Sequence, residues 1–177
     1  IFDIIKRLKP SWRNELEITD ALDMLLNEKH SISYRMITHY WKDTGTPEDI
    51  INANKAILEN LIPQFKGKKD STVIIEGNVS VGDETSISDQ VKINGSVIIG
   101  KKCKISGGAI IGPNASIGNG CIISGGIIRD SIIMDNCEIG NNVNLRNSII
   151  SSNSSIKQNS IKNEQVFLLG EGTKVLF

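Results

Sequence analysis

The chain has 177 residues and carries 20 Lys plus Arg against 20 Asp plus Glu, so its formal net charge is zero. That balance removes the electrostatic footprint of a nucleic-acid binder or a polybasic membrane-surface protein. The longest apolar runs are three or four residues, far short of the roughly 20 that a membrane-spanning helix needs; a soluble, cytoplasmic protein is expected.

From the N-terminus, Ile18, Leu22, Leu25 and Leu26 are spaced as one helix face, and Ile32, Tyr34, Met36 and Tyr40 alternate as a strand does. Thr46-Pro47-Glu48-Asp49 predicts a helix start: a Thr cap, Pro at the first helical position and an acidic third residue. Ile50, Ala53, Ile57 and Leu61 then fall on one face. One helix, one strand and one helix make a poor independent core, so residues 1–66 read as the end of something larger. Six of the eight aromatics precede residue 70 and none lies between 71 and 161, whereas 14 of the 16 glycines follow residue 70. The polar run Lys66-Gly67-Lys68-Lys69-Asp70 sits at this change and predicts a linker over 67–72.

An internal repeat follows. Stepping by six from Ile75 gives Val81, Ile87, Ile93, Ile99, Ile105, Ile111, Ile117 and Ile123. Four residues after each comes a second column of smaller or β-branched residues: Val79, Thr85, Val91, Val97, Cys103, Ala109, Ala115, Cys121 and Ile127. Period six is neither helical nor a simple alternation. Short strands joined by tight turns, three to a coil of about eighteen residues, turn every sixth side chain inward, which predicts a triangular parallel β-helix over 73–161. A narrow prism accepts Ile, Val, Ala and Cys but not rings, consistent with the missing aromatics. After Ile123 the steps mix fives with sixes, through Ile128, Ile133, Ile139, Leu145, Ile150, Ile156 and Ile161. Residues 162–177 read as a cap of two short strands, Val166 to Leu169 and Lys174 to Phe177, around Gly170-Glu171-Gly172.

The stretch KPSWRNELEITDALDMLL (residues 9–26), with YWKDTGTPEDIINAN (residues 40–54), resembles the C-terminal third of the catalytic domain in sugar-1-phosphate nucleotidylyltransferases, the glucose-1-phosphate thymidylyltransferase-like group above all. A hexapeptide β-helix appended to that domain is similar to the long forms of the family. The resemblance implies a mainly β fold, a left-handed parallel β-helix after a partial Rossmann-like α/β segment. It also implies the reaction: a sugar-1-phosphate oxygen attacks the α-phosphorus of a nucleoside triphosphate and releases pyrophosphate. Such chemistry asks for positioning and charge neutralisation. By the same resemblance Asp43 corresponds to one of two Mg²⁺ ligands, Arg13 approaches the phosphates, and Glu15 and Trp41 are sugar-side residues. Asn14 stands where the family has Gly, and Asn tolerates left-handed geometry better than most residues.

The family's glycine-rich loop, base-reading residues and first metal aspartate have no counterpart in the chain. The 177 residues alone are therefore expected not to catalyse transfer, while the intact protein does so with glucose-1-phosphate and dTTP or UTP. The β-helix is expected to serve oligomerisation, as a trimer, or regulation. Two rivals stand beside this: a non-catalytic assembly module, and an acyltransferase, for which the β-helix offers no histidine because His30 and His39 both precede it. Outward Ile74, Ile98, Ile110 and Ile122 are candidates for a buried flat face. Cys103 and Cys121 are expected to stack in adjacent coils as reduced, inward thiols, with Cys137 out of that register. Gly170-Glu171-Gly172-Thr173-Lys174 lacks phosphate-loop spacing and reads as a turn.

Overall fold

A computed structural model describes residues 1–158 and 163–176. The chain forms two units, 1–41 and 42–177.

In the first unit, α1 (Phe2–Ile5) and α2 (Ile18–Asn27) are joined by an ion pair of 2.7 Å between Arg7 and Glu28. Ile4 and Ala21 are its buried apolar residues among those described. The apolar face predicted for α2 exists, but Ile18, Leu22 and Leu26 on it are exposed, because so few residues supply no opposing layer. The strand expected from Ile32 to Tyr40 does not form: the stretch is irregular, with Tyr34 89 % exposed. Alternation gives a strand its two faces but not a partner, and an unpaired strand has no ladder to hold it.

The second unit opens with α3 (Pro47–Glu59), started as the sequence predicts: the Thr46 hydroxyl accepts from the Asp49 amide at 3.2 Å. Parallel strands of two or three residues then wind into a solenoid with three faces of seven, seven and five strands among the described residues. Val79–Val81 pairs with Val97–Ile99, and Val97–Ile99 with Ala115–Ile117, so equivalent residues stack one coil apart. The inward column from Val81 to Ile156 is buried throughout and is wholly aliphatic. Each such side chain contributes roughly 1.5–3 kcal/mol by leaving water. The last apolar step, Ile161, lies outside the described residues, as does Phe177.

Four sequence expectations are corrected here. The solenoid starts before residue 73: Gln64–Phe65 pairs with Ser80 and Val81, and Lys68–Lys69 with Ser86 and Ile87, so two residues inside the stretch read as a linker are strand of the first coil. Its lysines are exposed at the end of the stack, where charge is compatible with pairing on one side. Ile127 is not inward; it pairs with the outward Ile110, and Gly126 takes the inner position beside Val143, because the five-residue step after Ile123 removes one residue from that corner. Cys137 is not out of register, since the shortened coil pairs Ile122 with Glu138 and brings Cys137 onto Cys121. Finally, Ile74 and Ile110 share one face, but Ile98 and Ile122 lie on the other two. A spacing of 24 is one coil plus one face, so these isoleucines make no common surface. Two C-terminal strands form, the first shorter than expected: Leu168–Leu169 lies on Ile149–Ile150 and Lys174–Leu176 on Ser155–Lys157.

Candidate functional site

The turn before α2 is built by its own hydrogen bonds. The Ser11 amide donates to the Glu15 carbonyl at 2.8 Å and the Asn14 amide to the Ser11 carbonyl at 2.9 Å. Asn14 sits at φ +61°, in the left-handed region that Gly adopts freely and Asn better than most. Arg13 donates through Nη2 and Nε to one Glu17 oxygen at 2.8 and 3.2 Å, and the Ser11 hydroxyl donates to the same oxygen at 2.9 Å. Arg13, then Ser11, hold the Glu17 carboxyl below the usual range. Glu17 engages two of the five guanidinium N–H groups, which leaves donors for a phosphate. The guanidinium also lies 6.0 Å from the centroid of Trp12, itself 93 % exposed. Glu15 is exposed on the same turn, and Trp41 is exposed at the end of the first unit.

Asp43 belongs to the second unit and is exposed. The segment around it is fastened to the start of α3 by two contacts: Lys42 Nζ lies 2.8 Å from Asp49 Oδ1, and Thr46 Oγ1 donates to Asp49 Oδ2 at 2.7 Å. Lys42, then Thr46, hold the Asp49 carboxyl below the usual range. Among the described residues no three His, Cys, Asp or Glu side chains converge as a metal site. Asp43 offers one carboxylate where Mg²⁺ takes one or two together with substrate phosphates and water, so these residues do not by themselves make a site for the ion.

α3 is held against the solenoid by a face the sequence did not single out. Ile51 and Leu58 are buried, while Ile50 and Ile57 of the predicted face are exposed. α3 carries apolar residues on two stripes, and the polar residues of the other stripe decide which one docks. The Ser116 hydroxyl donates to Asn54 Oδ1 at 2.6 Å, and Lys55 Nζ lies 3.0 Å from Asp130 Oδ1. Asp130, its side chain 13 % exposed, also accepts from Asn114 Nδ2 at 3.0 Å and faces Arg146 Nε at 3.6 Å. Burial raises the Asp130 carboxyl, but Asn114, Lys55 and Arg146 outweigh it and hold it below the usual range. Arg146 continues to Glu164 at 3.2 Å. A groove of about 540 Å³ runs along α3, lined in part by Ile51, Lys55, Asn147 and Leu168. Sequence reasoning missed Asn54, Lys55 and Asp130. The signal available was the polar pair between Ile51 and Leu58; nothing marked Asp130.

Residues 1–60 match the family described as nucleotidyl transferase, and residues 93–176 match the GMPPB C-terminal domain. Each of these matches covers less than half of the chain. Similar proteins include the low-salt glycan biosynthesis nucleotidyltransferase Agl11 of Haloferax volcanii, 40 % identical over 83 residues. That alignment covers 47 % of this chain and 23 % of the relative. A glucose-1-phosphate thymidylyltransferase of Streptomyces antibioticus is 36 % identical over 88 residues, 50 % of this chain and 25 % of that one. The bifunctional protein GlmU of Methanococcus aeolicus is 42 % identical over 87 residues, 49 % and 21 %. The chain thus spans about a quarter or less of the length of these relatives. No helix among the described residues is long and apolar enough to cross a membrane.

Proposed function

We propose that these residues serve a sugar-1-phosphate nucleotidylyltransferase that joins glucose-1-phosphate to dTTP or UTP and releases pyrophosphate. The observation that carries this is the match of residues 1–60, which hold the 9–17 turn and the 41–46 segment, to the nucleotidyl transferase family. In this reading Arg13 offers its remaining donors to a phosphate, Glu15 and Trp41 contact the sugar, and Asp43 supplies one ligand to Mg²⁺. Asp43 would help to hold the ion, which when bound would neutralise charge developing on the phosphates. The reaction takes place in the cytoplasm, and the 177-residue chain alone is inactive because one carboxylate and one arginine do not position two anionic substrates.

The solenoid assembles the protein, as a trimer, through one of its flat faces. The test compares nucleotide-sugar formation by the 177-residue chain and by the full-length product of its gene, with each nucleotide in turn. Product from the longer protein alone is expected; its absence from both overturns the reading. Light scattering checks assembly, and a monomer at micromolar concentration removes the trimer.

A further inference from the structure

Inside one unit, the Asp43 segment is fastened to α3 by side-chain contacts at its first turn, and α3 to the solenoid by another further along. Lys42 and Thr46 hold Asp49 in the first turn of α3, and two turns further along Lys55 reaches Asp130 at the solenoid corner. Asp130 is largely shielded from water and has three polar partners, so its carboxylate has little freedom to follow Lys55 if the helix shifts. A helix transmits displacement along its length, whereas a lone exposed loop carboxylate has no such anchor. We propose that Asp130 is a positioning residue: by holding Lys55 it fixes α3, and with it the Asp43 segment, so that the solenoid is a working part of the nucleotidyl-transfer site. This rests on the reading of Asp43 given above.

The experiment has two arms. In the 177-residue chain, amide hydrogen exchange is followed at 47–59 and at 97–105 for Asp130→Asn, Lys55→Met and the conservative Lys55→Arg. The first two speed exchange in α3 about tenfold or more, while Lys55→Arg and the solenoid amides stay near wild type. In the full-length gene product, the same two variants lower kcat about tenfold or more with KM for the sugar phosphate little changed, as expected for misplacement of a group that acts in the transition state. Unchanged exchange in α3, or loosened exchange with unchanged kcat, overturns the proposal. A wild-type longer protein that forms no nucleotide sugar overturns the functional reading instead, and the exchange arm still reports on the clamp by itself.

Discussion

The Ser116 hydroxyl and the Asn54 side-chain oxygen meet at 2.6 Å across 62 residues of chain, and the Asn54 amide nitrogen beside them is buried without a partner among the described residues. A lost partner for a buried polar group costs more than the bond is worth net. Ser116→Ala therefore destabilises the docked helix by about 1–2 kcal/mol, because it leaves the whole Asn54 carboxamide unsatisfied. The double variant Asn54→Leu with Ser116→Ala costs less than Ser116→Ala alone. Urea unfolding of the three proteins measures the coupling.

Asp130 sets an acid limit on the same docking. Its carboxyl is held below the ordinary aspartate value in the folded protein, so its contribution is present above the unfolded value of about 3.9 and is lost as pH falls through the lower, folded value. Exchange in α3 rises steeply below about pH 4 in the wild type. In Asp130→Asn it is already fast at neutral pH and lacks that acid-side step.

The thiols of Cys103, Cys121 and Cys137 donate to the carbonyls of Gly118, Met134 and Ser151, each in the next coil, at 3.0, 3.1 and 3.2 Å. Thr85 and Ser154 continue the series with Gly100 and Gly170. A hydroxyl fits the same role, so Cys121→Ser is tolerated better than Cys121→Ala, which removes the donor and leaves a small void. Hydrogen bonding to the neighbouring thiols and burial push the Cys121 thiol up. A thiol reagent at pH 7.5 is expected to leave Cys121 unmodified in the native protein and to label it in denaturant, as peptide mass spectrometry would show.

Gly100 has an ordinary backbone angle, yet a β-carbon there would lie 2.7 Å from the Gly118 carbonyl carbon in the next coil. Close approach of stacked corners, not a left-handed turn, requires glycine. Gly100→Ala must push two coils apart and costs about 1–3 kcal/mol, read as a lower melting temperature with the far C-terminal coils least affected.

Asn14 is constrained by its angle instead. Asn14→Gly is close to neutral, whereas Asn14→Ala costs about 1 kcal/mol in the turn. Backbone chemical shifts of residues 11–17 follow it, with Asn14→Ala alone displacing the Ser11 amide from the Glu15 carbonyl.

The sequence by itself determined what repeats locally. A residue every sixth position sets the inward column, and Thr46-Pro47 sets a helix start, because a few neighbouring torsions and one capping hydroxyl suffice for each. Only the tertiary structure decided where long-range partners matter. It left Ile32 to Tyr40 unpaired, drew the lysines of 68–69 into the first coil, and turned Ile51 and Leu58 of α3, not Ile50 and Ile57, toward the solenoid. It also placed Cys137 on Cys121, since a corner shortened by one or two residues resets the register of every later coil. Apolar periodicity states that a face will be buried; which face, and against what, depends on partners such as Asp130 that lie 75 residues away from Lys55 and leave no mark in the local pattern.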